Sequence, residues 1–190
     1  MSNLSTGDRV LAIDRYGTPL YATVIGFLHR DVDKLVSFLT LWTDDDQKLT
    51  VTSDHLVYAV RDDDRALTGG GPVFAGHVQP GEYLFRREGP RVEDGRAVKV
   101  VRKSYDVMRG VYAPLTTEGT IVVDETVMSC YASLGSQWLA HAAMAPLRLV
   151  HYVIGSRDEL STSPGGVHWY AGFLLRYAKS VLPDEIWFES

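Results

Sequence analysis

Cysteine is almost absent from this chain of 190 residues, which contains only Cys130. A single thiol excludes an intramolecular disulfide and a structural zinc site built from several thiolates. A lone cysteine is most often a small buried hydrophobic residue, and it becomes a nucleophile only where a base lies beside it. The sequence alone leaves both interpretations of Cys130 open.

The chain also lacks basic clusters and long apolar runs. With 19 Lys and Arg against 24 Asp and Glu, the formal net charge is −5, so nucleic acid is not an expected partner. No apolar run approaches the length of a membrane span, and residues 1–4 lack the pattern of a signal peptide. No two histidines have the spacing of helical metal ligands, and we expect neither a metal site nor a cofactor.

What the chain does contain, up to about residue 135, is a series of apparent strands separated by polar turns. Residues 19–27 and 35–43 are rich in β-branched and aromatic side chains. Hairpin tips are predicted at three polar stretches, 14–17, 44–46 and 117–120. The glycine-rich stretch 61–71 predicts a solvated loop, because its acidic residues lack the spacing of a calcium site.

Beyond residue 135 the periodicity changes. Apolar residues recur with helical spacing over 136–154, where Pro146 interrupts the pattern, and again over 167–182. Residues 155–166, rich in Ser, Gly, Pro and charge, predict a linker. We therefore expect a mainly β body followed by a C-terminal helical appendage.

Two stretches in the β body share one order of features. Residues 4–11 around Gly7 and 78–85 around Gly81 each read apolar, polar, turn residue, glycine, acid, any residue and two large apolar residues. Looser matches relate 22–25 to 97–100 and 49–52 to 121–124. A repeat of several strands per copy predicts two β-subdomains related by a pseudo-twofold axis. The alternative is that strands with glycine turns resemble one another by chance.

The stretch 49–60 places Thr52 and His55 three residues apart between two apolar runs. Ser53 and Asp54 break the first predicted strand, so His55 lies on a corner where the second begins. Its imidazole, with a pKa of about 6.5, can give or take a proton near neutrality. Thr-x-x-His is also common by chance, and a histidine at the start of a strand usually only packs.

His29 is a second candidate, at the end of a predicted strand and close to Asp31 and Asp33. If the strand continues, the three side chains share one face. Such a face is usually only solvated. His168 opens the last predicted helix, and a histidine near a first turn more often packs than binds a ligand.

Several segments together resemble the C-terminal autoprocessing domain of Hedgehog proteins, over almost the entire chain. The most specific are APLTTEGTIVV at 113–123 and SCYA at 129–132, and others lie at 6–11, 49–57, 145–149 and 167–170. The resemblance implies a Hint fold, shared with inteins, with a pseudo-twofold β body over 1–135. It further implies that 136–190 form a helical sterol-recognition region.

The resemblance also implies a two-step reaction. A cysteine at the domain's first position attacks the preceding peptide carbonyl to form a thioester, and a cholesterol hydroxyl then displaces the thioester. Thr52 and His55 match the family residues that polarise the scissile amide and protonate its nitrogen as it leaves. Cys130 matches the family's second cysteine, which assists and does not attack.

For the second step, His29 stands where the family usually has the aspartate thought to activate the sterol hydroxyl. Imidazole, with a pKa of about 6.5 against about 3.9 for a carboxyl, is the stronger base at pH 7, so we expect His29 to retain the role. The resemblance implies three sterol-binding side chains, although an aromatic stripe at helical spacing is more often core: Trp169, Tyr170 and Phe173.

The implied setting is a monomer that acts on cholesterol and on an N-terminal signalling domain in cis, in the endoplasmic reticulum and outside the cell. The family's opening Cys-Phe is not found before the Gly7 turn, so we expect this chain by itself to be inactive. Two other functions stay open. One is a non-catalytic β-module that binds a lipid or a partner, and the other is an intein-like element that cleaves without sterol.

Overall fold

The structure, a computed structural model, describes residues 1–60, 71–87, 95–132, 141–154 and 168–181. Residues 61–70 of the predicted loop over 61–71, the predicted linker at 155–166 and the predicted domain boundary at residue 135 lie outside these ranges. The last residue of that predicted loop, Gly71, instead begins a strand. Within the described ranges the chain forms antiparallel β-strands followed by α-helices, which confirms the predicted fold class.

The strands, in chain order, are β1 (Arg9–Ile13), β2 (Pro19–Thr43), β3 (Lys48–Val51), β4 (His55–Val60), β5 (Gly71–Phe74), β6 (Tyr83–Arg87), β7 (Gly95–Thr116), β8 (Thr120–Val123) and β9 (Thr126–Ala132). Helix α1 is Ala145–Ile154, and helix α2 is Trp169–Val181. The sheet order is β1-β2-β7-β6-β4-β9-β8, with β3 on β2 and β5 on β4. Residues 19–27 and 35–43, predicted as separate strands, belong to the single long strand β2.

The three predicted hairpin tips connect β1 to β2, β2 to β3 and β7 to β8. At the first, the Asp14 carboxylate accepts hydrogen bonds from the main-chain N–H groups of Tyr16 and Thr18 at 2.8 and 2.7 Å. Short polar side chains favour turns because they bond their own main chain in this way. The predicted turn chemistry is therefore correct at this position.

The predicted repeat is visible in main-chain hydrogen bonds. Gly7 N–H donates to the carbonyl of Val24, and Gly81 N–H donates to the carbonyl of Val100, both at 2.8 Å. The acidic residue after each glycine accepts the return bond, again at 2.8 Å in both copies. The two glycines have φ of 97° and 103°, a region that residues with a Cβ rarely adopt. The equal geometry supports the predicted pseudo-twofold relation.

The main hydrophobic core draws on both halves and on the helices. Met144, before α1, and Ala171, in α2, are buried in the same cluster as the strand residues. Leu147, Tyr170 and Leu174 pack against that cluster from the helical side.

The predicted interruption near Pro146 is a turn at Met144, after which α1 begins. No helix in the described part of the chain is long and apolar enough to cross a membrane.

A buried ionic cluster joins the two halves. Oδ2 of Asp45, in the turn after β2, lies 3.2 Å from Nη1 of Arg86 on β6 and 3.2 Å from Nη2 of Arg96 on β7. Burial acts to raise the pKa of Asp45, but the Thr43 hydroxyl at 2.6 Å and the Arg86 charge outweigh it, and the pKa lies below its ordinary value. Asp45 therefore remains the counter-charge of Arg86, whose side chain is 1% exposed.

Replacing Asp45 with Ala should destabilise the fold by about 3–5 kcal/mol, because it leaves the Arg86 guanidinium buried without its carboxylate. Urea unfolding measures the change. The matched control is Asp33→Ala, which removes an exposed ion pair with Arg109 and should cost less than about 1 kcal/mol. Equal losses in the two variants would contradict the assignment of Asp45 as a buried counter-ion.

Candidate functional site

A tight turn presents Thr52 and His55 together. The His55 N–H donates to the Thr52 carbonyl at 3.1 Å, which closes the four-residue turn between β3 and β4. A residue after β5 also holds the turn in place, since Gly76 N–H donates to the Ser53 carbonyl at 2.8 Å. Both side chains are half-buried, and the prediction that His55 lies on a corner is confirmed.

The imidazole of His55 is oriented by β9, where it hydrogen-bonds the main chain of Ser129. Burial lowers the pKa of His55, and the Asp54 charge and the Ser129 bond offset this only in part. The ring is consequently neutral at pH 7. A neutral, oriented imidazole can take a proton from one atom and deliver it to another.

Cys130 lies in a β-bulge facing the same corner. His55 pairs with Ala132, and Val57 pairs with Met128, so the residues around Cys130 stand opposite a single residue of β4. Cys130 Sγ is 3.6 Å from Thr116 Oγ1 at the end of β7. Burial raises the pKa of the Cys130 thiol to about 11, which keeps it protonated at pH 7. Because the thiolate is the nucleophile, Cys130 is unsuited to be the attacking residue.

His29 lies on β2 at another bulge. Phe27 pairs with Pro114 but His29 pairs with Ala113, so Leu28 is an extra residue on β2. Proline lacks the N–H that a regular ladder uses, and such residues are found at bulges. The Leu28 carbonyl instead accepts a hydrogen bond from the N–H of His168 at 2.9 Å. The bulge thereby docks the start of α2 beside His29.

Of the acidic neighbours of His29, Asp31 accepts hydrogen bonds from the nearby main chain. The strand continues in regular register from His29 to Asp31, so these two residues share a face, but the register shifts between Asp31 and Leu35 and interrupts the alternation before Asp33. Asp31 Oδ1 accepts hydrogen bonds from the main-chain N–H groups of Asp33 and Lys34 at 3.0 and 3.1 Å. This arrangement agrees with the interpretation of the acidic residues as a solvated segment.

Helix α2 divides the three predicted sterol-binding side chains between two faces. Trp169 and Phe173, one helical turn apart, are 54% and 60% exposed. Tyr170 instead packs against the core, and its hydroxyl donates to the Ala143 carbonyl at 3.1 Å. The exposed pair is open to a ligand, while Tyr170 holds the helix in place.

The β7 strand connects these positions. Its residue Ala113 pairs with His29, and three residues later Thr116 contacts Cys130. The structure thus brings Thr52 and His55 together on one turn and places the bulge around Cys130 opposite the start of β4. A short length of β7 connects Cys130 to His29. No group of three or more His, Cys, Asp or Glu within the described ranges is arranged to hold a metal ion.

The family profile of the Hint module matches residues 1–183. The chain belongs to the Hint family. Protein hedgehog of Drosophila erecta is 38% identical over 198 residues, covering 97% of this chain and 41% of the relative. Indian hedgehog protein of Gallus gallus is 37% identical over 183 residues, covering 96% of this chain and 44% of the relative. The chain therefore spans less than half the length of these curated relatives.

Solved structures agree on the fold of this Hint domain. A DnaB intein from Synechocystis sp. PCC 6803 aligns with a TM-score of 0.50 at 16% identity, covering 68% of this chain and 82% of the intein. At that identity the likeness concerns the fold alone. It confirms the Hint architecture that the resemblance implied.

Sequence reasoning assigned no role to three polar residues that the Hint domain brings together beside Cys130, namely Tyr131, His141 and Arg148. Tyr131 and Arg148 lie in the segments that carried the family resemblance, but they are 17 residues apart. His141 was considered only as a metal ligand. Membership of those segments was the only signal that Tyr131 and Arg148 shared, because the bonds form between different elements.

The Cys130 thiol should resist modification in the folded protein, because it is 2% exposed and protonated. An aromatic disulfide reagent at pH 8 should therefore react slowly in buffer and stoichiometrically in 8 M urea, where about one thiol per chain becomes accessible. Absorbance of the released thiolate measures both. Rapid stoichiometric reaction without urea would contradict the buried, protonated state.

The stability of the domain should fall on acidification. Burial lowers the pKa of His55, His141 and His168, with the Arg148 charge adding to the effect at His141. The folded state binds fewer protons than the unfolded chain, so this stability is present above about pH 6.5 and is lost as the pH falls from there through the folded pKa values.

The thermal midpoint should accordingly be lower at about pH 5.5 than at about pH 7.5, since the unfolded histidines titrate between these values. A His55→Gln variant, which keeps a hydrogen-bonding side chain but cannot titrate, should show a smaller drop. Differential scanning calorimetry measures the midpoints. A thermal midpoint that is higher at the lower pH would contradict the prediction.

Proposed function

We propose that this Hint domain acts in autoprocessing: it transfers a preceding peptide from its amide bond to a cysteine thiol and then to the hydroxyl of cholesterol. The observation that carries the proposal is the Thr52–His55 turn, which holds a neutral, oriented imidazole at a corner of a Hint fold. The identity of 38% to protein hedgehog supports the sterol as acceptor. The fold likeness to inteins is compatible with cleavage alone.

In the first step, the thiol of a cysteine at the start of the domain attacks the preceding carbonyl carbon. The thiol proton passes to neutral His55, the carbon–nitrogen bond breaks, and His55 returns the proton to the departing nitrogen. Thr52, on the same turn, polarises the amide. The products are a thioester and a free amine, and no proton is gained or lost.

In the second step, the sterol hydroxyl attacks the thioester carbonyl. His29 accepts the hydroxyl proton, which makes the oxygen nucleophilic, and the carbon–sulfur bond breaks. The proton then restores the cysteine thiol. The exposed Trp169 and Phe173 are proposed to contact the sterol, because α2 is docked beside His29 through Leu28. A rigid apolar ring system suits two exposed aromatic side chains.

Cys130 is proposed to assist by shaping the corner, since its protonated thiol hydrogen-bonds Thr116. The proposal includes a signalling domain joined in cis, a monomeric state and a location in the secretory pathway. No cofactor takes part in either step.

The direct experiment fuses a reporter and a cysteine-initiated segment ahead of Met1 and follows cleavage with dithiothreitol, with cholesterol in detergent micelles, or with neither. Dithiothreitol intercepts the thioester and reports the first step, whereas cholesterol requires both steps. We expect cleavage with either reagent. Cleavage by thiol but not by sterol would favour the intein-like alternative, and no cleavage with either would favour a non-catalytic module.

In this fusion, His29→Ala should abolish cholesterol-dependent cleavage and change thiol-dependent cleavage less than about twofold, because His29 acts only in the second step. His55→Ala should lower both rates by about 10²–10⁴-fold. Asp33→Ala, an exposed neighbour on β2, is the control and should behave as wild type. Unchanged sterol transfer in His29→Ala would remove that residue from the mechanism.

A further inference from the structure

A polar cluster lies beside Cys130 and takes no part in either proposed step. Tyr131, 2% exposed, places its hydroxyl 3.0 Å from Nη1 of Arg148 and 3.0 Å from Nδ1 of His141. Arg148 Nη2 also donates to the main-chain carbonyl of His141 at 2.7 Å. Three hydrogen bonds therefore close a ring between β9, α1 and the residues before α1.

The Arg148 guanidinium only donates, so the Tyr131 oxygen accepts a hydrogen bond from it. The direction of the bond between the Tyr131 hydroxyl and Nδ1 of His141 depends on the tautomer of His141. Three hydrogen bonds among three residues restrict their relative positions more than a single bond would.

The turn after β7 packs closely against one side of the cluster. A Cβ added to Gly119 would lie 2.5 Å from Nδ1 of His141 and 2.8 Å from the Tyr131 hydroxyl. The carbonyl of the same glycine accepts the Cys130 N–H at 2.9 Å. The turn after β7, the bulge in β9 and the cluster are thus packed as one unit.

Besides apolar packing, two hydrogen-bonded contacts among the described residues attach the helical segment to the β body. At one end Arg148 of α1 is bonded to Tyr131 of β9. At the other, the N–H of His168 just before α2 is bonded to Leu28 next to His29. Between them, the Tyr170 hydroxyl joins α2 to the Ala143 carbonyl. The helices therefore bridge the strand of Cys130 and the strand of His29.

We propose that Tyr131, His141 and Arg148 are positioning residues for sterol transfer, fixing the helices so that a sterol on the exposed face of α2 reaches His29. The inference rests on the proposed function and deepens it. The main-chain bonds that close and hold the Thr52–His55 turn involve no residue of the cluster. Losing the cluster should thus affect the second step selectively.

The test uses the reporter fusion with Tyr131→Phe, which removes one hydroxyl and keeps the ring. Thiol-dependent cleavage should stay within about twofold of wild type, whereas the sterol-dependent rate at low cholesterol should fall roughly tenfold, as expected for hydrogen bonds to a charged group. The fall should be a rise in the cholesterol concentration for half-maximal rate. Tyr152→Phe, on α1 and 89% exposed, is the matched control and should change neither rate.

Two variants of Arg148 distinguish a positioning role from a folding defect. Arg148→Met should reproduce the loss of sterol transfer, and Arg148→Lys, which keeps a donor and the charge, should recover part of it. Equal losses of thiol- and sterol-dependent cleavage in Tyr131→Phe and Arg148→Met would show a general structural role and overturn the inference. Unchanged sterol transfer in both would overturn it as well. If the wild-type fusion cleaves with neither reagent, the proposed function itself fails.

Discussion

The antiparallel pairing of β2 with β7 is the constraint on which the rest of the structure depends. These strands, of 25 and 22 residues, run beside each other from the Val24–Thr116 pair to the Thr43–Val100 pair. Each carries the first strand of its own half, β1 on β2 and β6 on β7. Because the two halves share this ladder, a shift in its register would displace the turns, the core and the site together.

Bulges, one in the β2–β7 ladder and one in the β4–β9 pairing, place functional residues where regular strands would not. The bulge opposite Pro114 frees the Leu28 carbonyl for α2 and sets His29 beside the helix. A second bulge, in β9, sets Cys130 opposite the corner of His55. Burial then sets the protonation states of the two residues, because it lowers the pKa of His55 and raises the pKa of Cys130. His55 is therefore neutral and Cys130 is a thiol at pH 7. A base without a competing internal nucleophile suits a domain proposed to act on an added cysteine.

The sequence predicted what local chemistry determines. The turns at Gly7 and Gly81 were predictable because a positive φ favours glycine, and the hairpin tips because short acids bond their own main chain. The helical appendage followed from periodicity. The roles of Thr52, His55, His29 and Cys130 stay predictions taken from a family resemblance, which the geometry accommodates.

Long-range pairing was beyond such reasoning. The continuity of β2 depends on β7, which is distant in sequence, and the shift at Asp31 has no local signal. The bond of Tyr131 to Arg148 joins different elements, so no period of 2.0 or 3.6 reveals it. That Tyr170 faces inward while Trp169 and Phe173 face outward depends on which side of α2 meets the sheet.

The proposed function requires this domain to pass an acyl group to a sterol. The most direct measurement is the intact mass of the reporter released from the cysteine-initiated fusion after incubation with cholesterol. Sterol transfer predicts a reporter heavier than its free acid by one cholesterol minus one water, as an ester requires. A reporter released only as the free acid would contradict it.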